Sequence, residues 1–364
     1  MAASVAARLP TPLPAELSAW LDGAADRVDA TQELAVEVMP QLAQAGLFGA
    51  GVPAVFGGSG GTTADAIEAI SAVAERSVTA AFVFWGQRTF IEYLLQSPNE
   101  ALRQRWIAPL VAGDYAGATG LSNAMKFLSG IESLQIDASA QAGGWRLDGG
   151  LAWITNLRKE GFIAAAAVNM PDGAPPAVVA FTSDRAGVAR SADLDLMALR
   201  SSNTAAVKLV DVRIADADVI HADAPAWLPT VRPAFLGMQC GLSIGLARAS
   251  LRAAHALSTS MRGPLLARVE TLQAELESVT DELKAGVIDG RFETAAAPMF
   301  QLRIALAGIV QQAVMLELQA SGGTAYLQDR DGGFARRWRE SAFIPIVTPS
   351  LTQLQIALDK HAQA

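Results

Sequence analysis

Gly144-Trp145-Arg146-Leu147-Asp148-Gly149-Gly150-Leu151-Ala152-Trp153-Ile154-Thr155-Asn156 lies near the middle of the chain, between two Ala-rich halves of helical texture. Trp145 and Leu147, then Leu151 and Trp153, share one parity, and Gly149-Gly150 between them is a turn signal. The pattern predicts two short strands around that turn, with Trp153 and Thr155 on one face. An aromatic plane beside a small hydroxyl suits a flat, electron-rich ring system. The indole packs on such a ring, and the hydroxyl donates to a ring nitrogen or oxygen. Taken alone, the stretch reads as an ordinary hairpin with a half-buried Trp, so the rest of the chain has to decide.

The chain has 364 residues, enough for two or three subdomains. Hydrophobic residues make up 51% and charged residues 18%, with a mean hydropathy of +0.27, which points to apolar surface buried between subunits. No run reaches about 18 uninterrupted apolar residues, so no membrane span is expected. Met1 to Arg8 lacks the features of a secretory signal, and a cytoplasmic location is the expectation. With a net charge of −8, nothing suggests a nucleic-acid partner, which would need a concentrated basic face. Cys240 is the sole cysteine, and His221, His255 and His361 are widely spaced, so neither a thiolate nor a His-based metal site is expected.

Outward from the central stretch, residues 12–50, 66–76 and 80–95 carry helical periodicity. Pro98 to Ile107 reads as a short amphipathic helix with Pro98 in its first turn. The Gly-rich stretch from Val52 to Thr62 lacks the Gly-Lys-Ser/Thr of a phosphate loop and follows a helix rather than a strand. Phe162 to Val168, Ala177 to Phe181 and Ala205 to Ile214 read as strands. Helical texture returns after Pro225 and Pro229, with long segments over 241–257, 265–283 and 292–318. The fold class is therefore α+β in three parts: an N-terminal helical domain (1–117), a middle β domain (118–223) and a C-terminal helical domain (224–364).

Five stretches carry a resemblance. Val52-Pro53-Ala54-Val55-Phe56-Gly57-Gly58-Ser59-Gly60 looks like V-P-x-x-Y-G-G-x-G with Phe56 at its Tyr, and Gly117 to Ala124 falls where A-L-[ST]-E-P would stand. Trp153-Ile154-Thr155-Asn156 resembles W-I-[ST]-N, Leu199 to Thr204 looks like G-x-R-x-S-x-T without its Gly, and Gln319 to Tyr326 resembles Q-x-x-G-G-x-G-Y with Ala325 at its last Gly. In that order, on those elements, they resemble the acyl-CoA dehydrogenase superfamily of flavoproteins over nearly the whole chain. The resemblance implies a β-barrel-like middle domain, a C-terminal four-helix bundle, and FAD between them, with FMN as the alternative. It places Leu121 and Ser122 at the pyrimidine edge of the flavin, Trp153 against the ring and Thr155 near the reactive nitrogen. It places Gln319, Gly322 and Gly323 at the cofactor of a neighbouring subunit, in a homodimer or homotetramer. A plain helix stop explains the two glycines equally well, and strand residues at a turn explain Ser202 and Thr204.

The departures bear on the chemistry. The family's α-proton base is a Glu after an R-D-A signal. Arg339-Glu340-Ser341-Ala342 fits that signal, and counting on puts Thr348 at the base position. A Thr hydroxyl cannot act as a base near neutral pH. A second location for the Glu, about Val231 to Leu236, holds none. Asp329, Asp331 and Glu340 are substitute carboxylates, although a partnership of Glu340 with Arg337 or Arg339 is the plainer reading. Asn123 and Ala124 replace the Glu-Pro pair, and Met125 to Gly130 replaces the turn that holds the thioester arm. The R-x-x-F-G pyrophosphate anchor is missing, leaving Arg262 to supply the charge or to serve as a solvated helix-break residue. The leading expectation is a flavin-dependent oxidoreductase acting on the CH–CH bond of an acyl thioester or related substrate, which would require one of those substitute carboxylates to fold into the site. The alternatives are a flavin-dependent monooxygenase on the same fold and a non-catalytic paralogue.

Overall fold

The computed structural model describes residues 13–258, 263–327 and 333–363. Met1 to Arg8, Arg262, Asp329 and Asp331 lie outside them. Five helices come first: α1 (Ala15–Ala30), α2 (Ala35–Gln44), α3 (Thr63–Ala74), α4 (Val78–Leu95) and α5 (Glu100–Ala112). Helix α4 is buried on every side from Val78 to Leu94, as a helix apolar all round must be. Its two charges satisfy each other and the neighbouring loop: Arg88 pairs with Glu92 at 2.8 Å and donates to the carbonyls of Ala50 (2.8 Å) and Gly51 (3.1 Å). The Gly-rich stretch is thereby bolted to α4, and a side chain at Gly58 would strike the Val52 carbonyl at 2.1 Å.

The chain then enters β1 (Ala116–Thr119), a short helix α6 (Ser122–Leu128), and strands β2 (Ile136–Gln141), β3 (Gly144–Ile154), β4 (Phe162–Val168), β5 (Ala177–Thr182), β6 (Val188–Arg190), β7 (Ala205–Ile214) and β8 (Val219–His221). They form two four-stranded sheets, ordered β1-β4-β5-β8 and β2-β3-β7-β6. Among the pairings of these strands, β1–β4 is parallel and the others are antiparallel. Gly144–Ile154 is one strand, not two around a Gly-Gly turn. The turn falls earlier, between Gln141 and Gly144. Gly149, at φ 143°, instead lets β3 pass close to the neighbouring chain, since a Cβ there would lie 2.2 Å from the Gln135 carbonyl.

The last part is α7 (Ala224–Ser258), α8 (Gly263–Ile288), α9 (Arg291–Thr294), α10 (Ala296–Ser321), α11 (Phe334–Ser341) and α12 (Leu351–Gln363). Helix α7 begins before its prolines and carries Pro229 and Pro233 inside. Burial of Trp227, Leu228, Val231 and Phe235 outweighs the local cost of proline. Likewise Pro98 precedes the α5 cap, Asn99, whose side chain accepts from Leu102 N–H at 3.1 Å. The three long helices α7, α8 and α10 pack on one another, with α3 against α7 and α12 against α10. Ala296–Tyr326 is long and apolar enough to cross a membrane by length and composition, contrary to the expectation from uninterrupted runs. In the fold most of it is packed inside, and it carries the buried Arg303 and Glu317.

Candidate active site

The end of β3 leaves regular geometry where the Trp-Ile-Thr-Asn stretch begins to matter. Register shifts between Leu151 and Ile154, and Trp153 takes a left-handed backbone, φ 63°. For a bulky residue this conformation is strained, and such strain collects at functional sites. Asn156, also left-handed at φ 60°, fixes the stretch from below. Its amide donates to the Gln87 side-chain carbonyl and to the Gly117 carbonyl, both at 3.0 Å, while Gln87 also accepts from Gly117 N–H at 2.6 Å. Helix α4, strand β1 and the end of β3 are thus tied at one buried point. Trp153 is left 66% exposed and Thr155 3% exposed.

Both residues line a cavity of about 470 Å³ between the sheets and the helices. Ser122 and Thr348 line it too, so four positions marked from the sequence converge there. Leu121 is buried beside the cavity rather than lining it, and its carbonyl accepts from Met125 N–H at 2.9 Å. The Thr155 hydroxyl donates to the Ser202 carbonyl at 3.1 Å, which leaves its oxygen free to accept. Ser202 and Thr204 bond each other at 2.7 Å instead of lining the cavity. Gln319, Gly322 and Gly323 lie at the C-terminal end of α10 and do not reach this cavity within the chain. Gln319 donates to the Met315 carbonyl, and Gly322 has φ 61°, ψ −151°, a backbone open in practice only to glycine.

Further lining residues escaped the sequence reading. Phe82 and Trp85 of α4, Phe235 of α7 and Phe343 after α11 bring four aromatic rings to one wall. Phe82 stacks on Trp85 (5.4 Å between centroids, 6° between planes), while Phe343 meets Phe82 and Phe235 meets Trp85 edge-on. Their spacing looks like ordinary helix core, and only the fold shows that they border a void. Thr119 also lines the cavity, and its hydroxyl is 2.8 Å from that of buried Tyr93. Burial holds the Tyr93 phenol above its ordinary range.

Among the described residues, the cavity has one lining carboxylate, Glu132, and one lining ammonium, Lys126, and the two form an ion pair. Lys126, with Asn123 donating at 3.0 Å, holds the Glu132 carboxyl below its ordinary range. Phe235 occupies the earlier-helix location considered for a base. Glu340 is elsewhere: fully buried, it accepts from Val78 N–H and pairs with Arg336, both at 2.9 Å. The expected partners, Arg337 and Arg339, go instead to Glu317 and Asp29. The wall at Thr348 is held from behind, where Gln239 donates to the Thr348 carbonyl (2.9 Å) and Arg303 donates to the Ile344 carbonyl (2.6 Å).

These groups fit a flavin. Trp153 offers an uncovered indole, Thr155 an acceptor for the ring N–H of the reduced form, and Thr119 and Ser122 add hydroxyls at the same cavity.

Comparison with known proteins agrees with this geometry. Residues 19–114 match the family model of the acyl-CoA dehydrogenase N-terminal domain. The chain is 23% identical over 341 residues to the probable acyl-CoA dehydrogenase YngJ of Bacillus subtilis (strain 168), covering 88% of each. Among solved structures, KijD3 in complex with FMN and a dTDP-amino-keto sugar superposes with a TM-score of 0.80 at 21% identity, over 96% of this chain and 91% of that one. Dibenzothiophene monooxygenase (TdsC) from Paenibacillus sp. A11-2 superposes with a TM-score of 0.75 at 17% identity, over 96% of each. Residues 19–114 thus match the acyl-CoA dehydrogenase N-terminal family model, and the chain as a whole, with helices, sheets and helices in this order, has the fold of the solved acyl-CoA dehydrogenases.

Proposed function

We propose that the protein is a flavin-dependent monooxygenase acting on an apolar substrate held at the Trp153 cavity. One observation carries the proposal: Thr348 and Phe235, which fall in the two stretches where the resemblance would put a base in one or the other, line the cavity without a carboxylate, and the one carboxylate among its described lining residues, Glu132, is clamped by Lys126 and Asn123. A carboxylate held below its ordinary pKa is a weak base for a carbon acid. Oxygen insertion needs no such base. A bound reduced flavin would supply the two electrons, so that one atom of oxygen enters the substrate and the other leaves as water. Trp153 would support the ring, Thr155 would accept its N–H, and the aromatic wall would keep water away from the reacting face. The solved relatives with this fold include one named as a monooxygenase, which is consistent with the reading.

FAD requires Arg262, Gln319, Gly322 and Gly323 to act across a homodimer or homotetramer, whereas FMN needs only the cavity. Titration of the protein with each flavin, followed by visible absorbance, separates the two. Oxygen uptake by the reduced, flavin-loaded protein is expected to quicken with apolar aromatic compounds. Failure to bind either flavin would overturn the proposal.

A further inference from the structure

Gln353 is the third residue of α12 and is 7% exposed. Ser350 and Gln353 form a reciprocal cap: the Gln353 side-chain carbonyl accepts from Ser350 N–H at 2.6 Å, and the Ser350 hydroxyl accepts from Gln353 N–H at 3.3 Å. This bond fixes which end of the amide is which, because only the oxygen can face a backbone N–H. The nitrogen, Nε2, is therefore the end that lacks a partner among the described residues. Gln353 also lines the Trp153 cavity. A buried amide donor without an acceptor is costly, and native proteins rarely leave one so without reason.

We propose that Gln353 is the specificity-determining donor of this cavity, and that the substrate is a flat aromatic molecule bearing a hydrogen-bond acceptor, such as a ring nitrogen or a carbonyl oxygen. The four rings supply the other half of the recognition. Trp85 spends its N–H on the Phe235 carbonyl at 3.2 Å, so it offers the cavity only its π surface. Stacked and edge-on rings reward a planar aromatic partner beyond the area it buries, which a flexible acyl chain does not collect. A site built to bond one acceptor discriminates strongly against an isostere without it. The inference rests on the reading of the cavity as the substrate site. The flavin itself carries ring carbonyls, so the shared chemistry is an acceptor on a planar ring, and the test separates the two sources.

The experiment measures, by calorimetry on the full chain with and without FMN, the binding of quinoline and naphthalene, which differ by one ring nitrogen. Quinoline is expected to bind at least about tenfold more tightly. Gln353→Glu keeps the oxygen that caps α12 and removes the donor. Assayed at a pH where that carboxyl is ionised, it should abolish the preference with naphthalene still bound, at some cost in melting temperature because the new carboxylate is buried. Gln353→Met, which loses cap and donor together, should also lose the preference, with a lower melting temperature. No binding of either ring, equal affinity in the parent protein, or loss of FMN affinity in Gln353→Glu with the quinoline preference intact would each overturn the inference. None of these arms requires oxygen or turnover, so a failure of the monooxygenase reading is separately visible.

Discussion

Trp153 combines a left-handed backbone with an indole that is 66% exposed. Strain of this kind costs about 1–3 kcal/mol, and an exposed side chain recovers little of it through packing. Trp153→Gly should therefore raise stability by about 1 kcal/mol in chemical denaturation while weakening flavin binding. A clear loss of stability would mean that the indole packs better than its exposure indicates. Thr155 shows a different limit of single-residue reading. The sequence suggests its hydroxyl as a donor to a ring, but its proton goes to the Ser202 carbonyl, a residue 47 positions away. Spacing could not reveal that partner, because long-range register decides it. The orphaned nitrogen of Gln353 was invisible for the same reason.

Helix α11 is the element whose sequence was easiest to misassign. Phe334-Ala335-Arg336-Arg337-Trp338-Arg339-Glu340-Ser341 puts three guanidinium groups within four residues, and each goes to a different carboxylate: Arg336 to Asp26 and Glu340, Arg337 to Glu317, Arg339 to Asp29. The helix is thereby locked to α1 and α10, and Glu340 additionally closes the first turn of α4 through Val78 N–H. Neutralising one partner of a buried pair leaves the other uncompensated. Glu340→Gln is expected to cost about 3 kcal/mol in denaturant unfolding, with flavin binding retained in the folded fraction. A cost below about 1 kcal/mol would show that Asp26 alone suffices for Arg336. The elements with strong periodicity, such as α3, α4, β4 and β7, were readable because burial and local preference agree there. Strand β3 and helix α7 were misread where tertiary contacts override local signals: glycines used for close approach rather than a turn, and prolines carried inside a helix by apolar burial.

At the scale of the whole molecule, the order of helices, sheets and helices was legible because each part has its own texture and the five family-like stretches fall on it in sequence. The cavity was legible only in part. Ser122, Trp153, Thr155 and Thr348 come from stretches that resemble a family, whereas Phe82, Trp85, Phe235 and Phe343 are brought together solely by the packing of α4, α7 and the turn after α11. On the proposed reading, that aromatic wall, with no free carboxylate among its described residues, favours oxygen insertion over dehydrogenation. The most direct measurement is the visible absorbance of the flavin-loaded protein under anaerobic conditions as acyl-CoA thioesters of short, medium and long chain are added. Our account predicts that the flavin stays oxidised with every thioester. Rapid bleaching by any of them would contradict it and return the protein to thioester dehydrogenation with a base drawn from elsewhere.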